Sequence, residues 1–130
     1  RASTAPYGTA ERDFDPCSLA KAAGAVFAAR GTVYNAAELE KLITQALAKK
    51  GFALVEAVSP CPTLYGRLNR EGNAVKMMQW QKENTVNVKA AEKLPPEKVR
   101  GKIVTGVFHD AETPGYTEIY DRVIAKARGA

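Results

Sequence analysis

Ala25-Val26-Phe27-Ala28-Ala29 and Phe52-Ala53-Leu54-Val55-Glu56-Ala57-Val58, with Asn35 to Gly51 lying between them, are the stretch that decides the fold. The first run is continuously apolar and bounded by Gly24 and Arg30-Gly31, the pattern of a strand covered on both faces. In the middle segment Leu39, Leu42, Ile43, Ala46 and Leu47 recur at helical spacing, with Asn35 as cap and Glu38 three residues on, as in a capping box. Lys49-Lys50 suits the negative end of that helix, and Gly51 supplies a left-handed cap. The second apolar run breaks at Ser59-Pro60. Strand, helix and strand of these lengths make a βαβ unit, whose crossover sets the two strands parallel, so the expected class is α/β.

Outward from this unit the signals are weaker. Residues 1–15 mix Pro6, Gly8, polar groups and charge without periodicity and are expected to form an irregular lead-in, with residues 16–130 as the α/β segment proper. Asp15-Pro16 opens a short helix through Ala23 that Gly24 stops. After Pro60, the run Cys61 to Arg70 is rich in breakers and predicts a long loop. Asn73 caps a helix through about Asn84 whose Ala74, Val75, Met77, Met78 and Trp80 spread over more than one face, which predicts cover from two sides or exposure to a partner. Leu94-Pro95-Pro96 is a break with a short turn behind it, and Ile103 to Phe108 is a third strand. Thr113-Pro114 opens a last helix with Tyr116, Ile119, Tyr120, Val123, Ile124 and Ala127 on one face.

A chain of 130 residues that is 45% hydrophobic and 25% charged is large enough to bury a core in one domain. It has no apolar run near the roughly 20 residues that span a bilayer, and no apolar signal region behind Arg1, so no membrane association is expected. Starting at Arg1 and not Met, it reads as a piece of a longer product. A net charge of +5 is compatible with an acidic partner without requiring one. Two cysteines and one histidine exclude both a disulfide framework and a self-contained four-ligand zinc site, and favour a reducing, cytoplasmic setting.

Few residues carry chemistry. Cys61 lies beyond the carboxyl end of a strand, where open parallel sheets gather ligands, and Pro60 and Pro62 stiffen the backbone that presents it. On the residues alone, a cysteine at a strand end is more often buried and inert. Cys17 sits in the first turn of a helix, whose dipole favours a thiolate, but Asp13 and Asp15 oppose that and no Cys-x-x-Cys accompanies it. His109 and Asp110 are neighbours on an extended chain, point to opposite faces and do not form a dyad. Met77-Met78-Gln79-Trp80 is a core or interface stripe, and Arg67, Arg70 and Lys76 are a basic cluster whose default is solvation. Neither a phosphate loop nor a dinucleotide fingerprint is present.

Three blocks taken in order, Asp15-Pro16-Cys17-Ser18-Leu19-Ala20, Ala22 to Gly31 and Ser59-Pro60-Cys61-Pro62-Thr63-Leu64-Tyr65-Gly66-Arg67, resemble the C-terminal part of the beta subunit of 2-oxoacid:ferredoxin oxidoreductases, most of all the 2-oxoglutarate branch. The resemblance continues through Met77 to Trp80 and Lys102 to Val107. It implies the C-terminal portion of a thiamine diphosphate-binding, doubly wound parallel-sheet domain. It further implies CoA-dependent oxidative decarboxylation of a 2-oxoacid, with electrons passing through [4Fe-4S] to ferredoxin. The family's diphosphate and magnesium motif and its Cys-x-x-Cys do not occur in this stretch, so thiamine diphosphate and Mg would be held mainly by an N-terminal half not included here. Cys61 matches the cysteine that this half contributes to the cluster, its loop amides donating to cluster sulfurs; Cys17 is given only a packing role. The implied partners are that N-terminal half, an alpha subunit, ferredoxin, CoA and the 2-oxoacid, with no nucleic acid, and the segment alone would be inactive. Two rivals stand beside this: a small basic α/β module that docks an acidic protein or nucleic acid through Arg67, Arg70 and Lys76, and a thiol-redox protein using Cys17.

Overall fold

A computed structural model of the chain describes residues 4–11 and 13–129. Of the expected lead-in, residues 1–3 and 12 lie outside the described residues, as does residue 130; the described remainder before Pro16 is turn and coil with a bridging residue at Ala5. The apolar run after Gly24 does form the central strand, β1 (Phe27–Thr32), but two residues later than its composition predicts. Ala25 and Val26 are buried and used otherwise: the Ala25 N–H donates to the Ala20 carbonyl at 2.9 Å and closes α1 (Pro16–Ala22), and the Val26 N–H donates to the Phe52 carbonyl at 2.8 Å. Asp15 precedes α1 without capping it through its side chain, because its carboxylate is taken by the Ser18 hydroxyl and the Arg30 guanidinium.

Helix α2 (Ala36–Ala48) follows a short 3-10 turn at Val33–Asn35 and leads into β2 (Ala53–Val58), which pairs with β1 in parallel from Phe27↔Ala53 to Thr32↔Val58. The expected capping box is modified: the Asn35 amide donates to the Glu38 carboxylate at 2.7 Å, so the two side chains satisfy each other and not the helix N–H groups. Further on come α3 (Arg67–Asn69), α4 (Ala74–Glu83), β3 (Thr85–Asn87), α5 (Val88–Ala91), α6 (Pro96–Val99), β4 (Ile103–Asp110) and α7 (Tyr116–Ala127). The strand order is β2-β1-β4-β3.

The α/β class holds, but the sheet is mixed and not wholly parallel, since β4 joins β1 antiparallel while β3 runs parallel to β4. The physical reason is that a crossover fixes the relative direction only of the strands it joins. One crossover joins β1 to β2 and another joins β3 to β4, and nothing in either dictates how the pairs meet. The short β3 is invisible in the sequence because Thr85-Val86-Asn87 has no room to show a period.

Alternation along β1 gives each face its own helix. Ala28 meets Cys17 and Ala20 of α1 with Leu54 and Phe108, whereas Phe27 and Ala29 meet Leu42 and Ala46 of α2 with Ala53, Val55 and Val107. Small residues let the helices approach closely. A Cβ on Gly31 would stand 2.9 Å from Leu39 Cδ1 and 3.3 Å from Leu42 Cδ1, so a larger residue there would push these leucines of α2 aside. Burying the Phe27 ring, which has no accessible surface, contributes about 2 kcal/mol. Helical spacing predicts a face but not its cover: Ile43 and Leu47 of α2 are exposed, and so are Tyr116, Ile119, Tyr120 and Val123 of α7, where Tyr116 and Tyr120 stack on each other.

Arg30 is the one charge in the middle of β1. It is tolerated because its guanidinium is satisfied on every side: Glu56 of β2 at 2.6 Å, Asp15 at 2.6 Å, the Val104 carbonyl at 3.3 Å and the Phe108 ring 5.1 Å below. Replacing it strands a half-buried Glu56 and loosens three elements at once. Arg30→Leu is therefore expected to cost ~2–3 kcal/mol of unfolding free energy by urea titration. Lys50→Gln, which breaks only the exposed pair with Glu118, should leave the urea midpoint essentially where it was.

Candidate functional site

Beyond Val58 the chain leaves the carboxyl end of β2 and enters Ser59-Pro60-Cys61-Pro62. Cys61 is extended, at φ −111° and ψ 91°, as a residue before proline must be. Pro62 then opens a wide turn through Gly66, in which the Gly66 N–H donates to the Cys61 carbonyl at 2.9 Å across five residues. A second bond of the same span runs from the Glu71 N–H to the Gly66 carbonyl at 2.9 Å. The expected long loop at 61–70 is thus ordered: the wide turn passes into α3, which ends where Arg70 takes a left-handed φ of 59°. Proline and glycine, read in the sequence as breakers, here open and close a turn. Gly66 is also a contact point, since a Cβ there would stand 2.6 Å from Met77 Sδ on α4.

This geometry decides the state of the sulfur. Cys61 is exposed, which overturns the commoner expectation of a buried cysteine at a strand end. The backbone N–H groups of Tyr65 and Leu64 and the hydroxyl of Thr63, 3.7 Å from Sγ, all favour negative charge there and bring the thiol down to about 7. Pro62 has no N–H, so the donors begin one residue further on. Beside the sulfur lies a cavity of about 460 Å³ whose walls include Pro60, Cys61, Met77, Trp80 and Gln81.

Gln81, unremarkable in the sequence, holds this corner together. Its side chain is 3% exposed, accepts from the Tyr34 N–H at 2.9 Å and donates to the Val58 carbonyl at 3.0 Å. One carboxamide so ties the turn after β1, the last residue of β2 and the middle of α4. The only sequence signal is a polar residue four positions after Met77, on what proves to be the inward face. Met77 is buried and Met78 partly so, while Ala74, Val75 and Trp80 are exposed, so the apolar residues of α4 are spread over more than one face and part of them stays open.

The other candidates are placed as follows. Cys17 is fully buried and its thiol is pushed up to about 11 by that burial, with Arg30 opposing and Glu56 and Asp15 assisting. Desolvation outweighs the start of a seven-residue helix, so Cys17 packs and does not react. The Asp110 carboxylate pairs with Lys49 at 2.6 Å, and no contact joins it to His109 among the described residues. Arg67, Arg70 and Lys76 are exposed and form no ion pair among the described residues. Among the described residues no group of three or more His, Cys, Asp or Glu side chains is arranged to hold a metal ion.

A sheet with helices on both faces and a stiff loop leaving the carboxyl end of one strand is an α/β layout in which ligands gather at that end. Residues 1–57 match the family model described as thiamine pyrophosphate enzyme, C-terminal TPP binding domain. The chain is 41% identical over 128 residues to the 2-oxoglutarate synthase subunit KorB of Methanocaldococcus jannaschii, covering 98% of this chain and 47% of that protein. To the protein of the same name from Methanothermobacter marburgensis it is 45% identical over 121 residues, covering 93% and 41%. In fold it matches a solved 2-oxoglutarate:ferredoxin oxidoreductase from Magnetococcus marinus, which has 2-oxoglutarate, coenzyme A and succinyl-CoA bound, with a TM-score of 0.67 and 23% identity over 98% of this chain and 43% of that one. The chain belongs to the beta subunits of 2-oxoacid:ferredoxin oxidoreductases, on the 2-oxoglutarate synthase branch. It spans about half the length of the curated relatives it matches, 47% and 41% of the two above. No helix among the described residues is long and apolar enough to cross a membrane.

Two measurements check the site. In folded, iron-free protein near pH 7, the Cys61 thiol, brought down to about 7 by its donors, ionises far more readily than the buried Cys17 thiol, pushed up to about 11. Iodoacetamide followed by mass spectrometry should therefore label Cys61 alone, at a rate that rises through pH 7 and levels off above it. Gln81→Leu leaves the Tyr34 N–H and the Val58 carbonyl unpaired and should cost about 2–4 kcal/mol. Hydrogen exchange should then quicken at residues 58–66 before it does in β1.

Proposed function

We propose that this chain is the C-terminal part of the beta subunit of a 2-oxoacid:ferredoxin oxidoreductase acting on 2-oxoglutarate, and that Cys61 supplies one thiolate to a [4Fe-4S] cluster. The observation that carries the reading is the sulfur itself: exposed at the carboxyl end of β2, faced by hydrogen-bond donors, with open space beside it. A cluster of this type takes about four thiolates, and the described residues offer one at that place. The rest would come from the N-terminal half of the subunit, which also supplies the groups that hold thiamine diphosphate and Mg. The residues present fit a ligand of this kind, because the sulfur loses its proton near neutral pH and the stiff Pro60-Cys61-Pro62 backbone fixes its direction.

In the assembled enzyme thiamine diphosphate would supply the electron sink for decarboxylation of the 2-oxoacid, and the cluster a store for single electrons on the way to ferredoxin. This chain's own contribution is narrower. Cys61 presents a thiol that ionises near neutral pH, the wide turn faces it with N–H donors, and Gln81 ties the loop root to α4. The exposed side of α4 at Val75 and Trp80, and the apolar face of α7, are surfaces for the N-terminal half and for an alpha subunit. Coenzyme A and the 2-oxoacid would be taken up by the full complex, and the assembly would belong in a reducing cytoplasm, where both cysteines stay free.

Cys61→Ser in the full-length beta subunit, purified with its partner subunit, is expected to lower iron and labile sulfide by close to one cluster per subunit. Cys17→Ala should leave both unchanged. Undiminished iron and sulfide in the Cys61 variant would remove it from the ligand set.

A further inference from the structure

The cysteine ligand has a neighbour whose side chain faces it. Thr63 sits two residues after Cys61, in the first half of the wide turn, with Oγ1 3.7 Å from Sγ. No other partner for that hydroxyl occurs among the described residues. Between a free thiol and a hydroxyl either atom can donate, but a sulfur bound to iron has no proton to give. The hydrogen bond then runs one way, from Oγ1 to Sγ.

We propose that Thr63 tunes the cluster that Cys61 ligates: its hydroxyl donates to the iron-bound sulfur and holds the reduction potential of the cluster up. This rests on the ligand role of Cys61 given above. The mechanism is electrostatic. Reduction adds an electron to the cluster and raises the negative charge on its sulfurs, so a donor aimed at one of them stabilises the reduced form more than the oxidised form. The N–H groups of Leu64 and Tyr65 act in the same direction but belong to the backbone, which leaves Thr63 as the adjustable member of the set. Its place in the turn suits the role: Pro62 has no N–H to offer, and the turn closes with the Gly66 N–H donating to the Cys61 carbonyl at 2.9 Å, which keeps Thr63 beside the sulfur.

The test uses the complete enzyme complex and an EPR-monitored redox titration. Thr63→Val keeps the branched shape and removes the donor; its midpoint potential should move to more negative values with iron and sulfide content unchanged. Thr63→Ser, which keeps a hydroxyl, should return the midpoint towards that of the parent enzyme. An unmoved potential in a fully loaded Thr63→Val enzyme overturns the tuning role. So does a Thr63→Val enzyme that loses its cluster, because Thr63 would then be a support of the loop. Iron unchanged in Cys61→Ser, by contrast, refutes the ligand reading itself, so the two failures are told apart.

Discussion

Burial of β1 on both faces is the constraint from which the rest of the molecule follows. A strand at the centre of a sheet must find an apolar cover above and below, and β1 finds it with alanines and one phenylalanine, so both helices pack close to the backbone. Small side chains leave little room for adjustment. With α1 and α2 seated on its two faces, β1 takes β2 along one edge, and the carbonyl that ends β2 is held by Gln81 of α4. The loop that carries Cys61 begins there. Arg30 fits the same constraint from the polar side, since a charge in a doubly covered strand survives only when carboxylates, a carbonyl and an aromatic ring receive it together.

The chemistry of the site is then a matter of which groups face one sulfur. Two cysteines of the same chain end up far apart, at about 7 for Cys61 and about 11 for Cys17, and hydrogen-bond donors account for the first as burial does for the second. Cys17 is surrounded by hydrocarbon with carboxylates nearby, and Cys61 by N–H and O–H donors in open solvent. The helix-start position that favours Cys17 in the sequence is outweighed by desolvation. Two prolines and a wide turn, which read as a long, stiff loop in the sequence, are what aim the donors at Cys61.

The sequence reveals the elements whose residues repeat and conceals those that depend on what happens across the sheet. Leu39, Leu42 and Ala46 disclose α2, and the apolar runs after Gly24 and Gly51 disclose β1 and β2, because their spacing is itself the packing. The direction of β4 cannot be read this way, since no single crossover ties it to β1. Gln81 is silent for a related reason: its two partners, Tyr34 and Val58, are far away in the chain, and a buried carboxamide looks in the sequence like any surface glutamine. Ile43 and Leu47, which satisfy the helical pattern, are exposed, because the pattern marks a face and not the body that covers it. Cys61 was reached from the other side. Its block Ser59-Pro60-Cys61-Pro62-Thr63 resembles a family motif, and the motif located a residue whose surroundings the residues alone placed in a buried strand end.

Diffraction from crystals of the complete enzyme complex, recorded on both sides of the iron absorption edge, tests the central claim most directly. The account predicts an iron signal at bonding distance from Cys61 Sγ, with the remaining cluster ligands coming from polypeptide outside these 130 residues. A cluster fully ligated elsewhere, with Cys61 facing protein or solvent and no iron beside it, would contradict it.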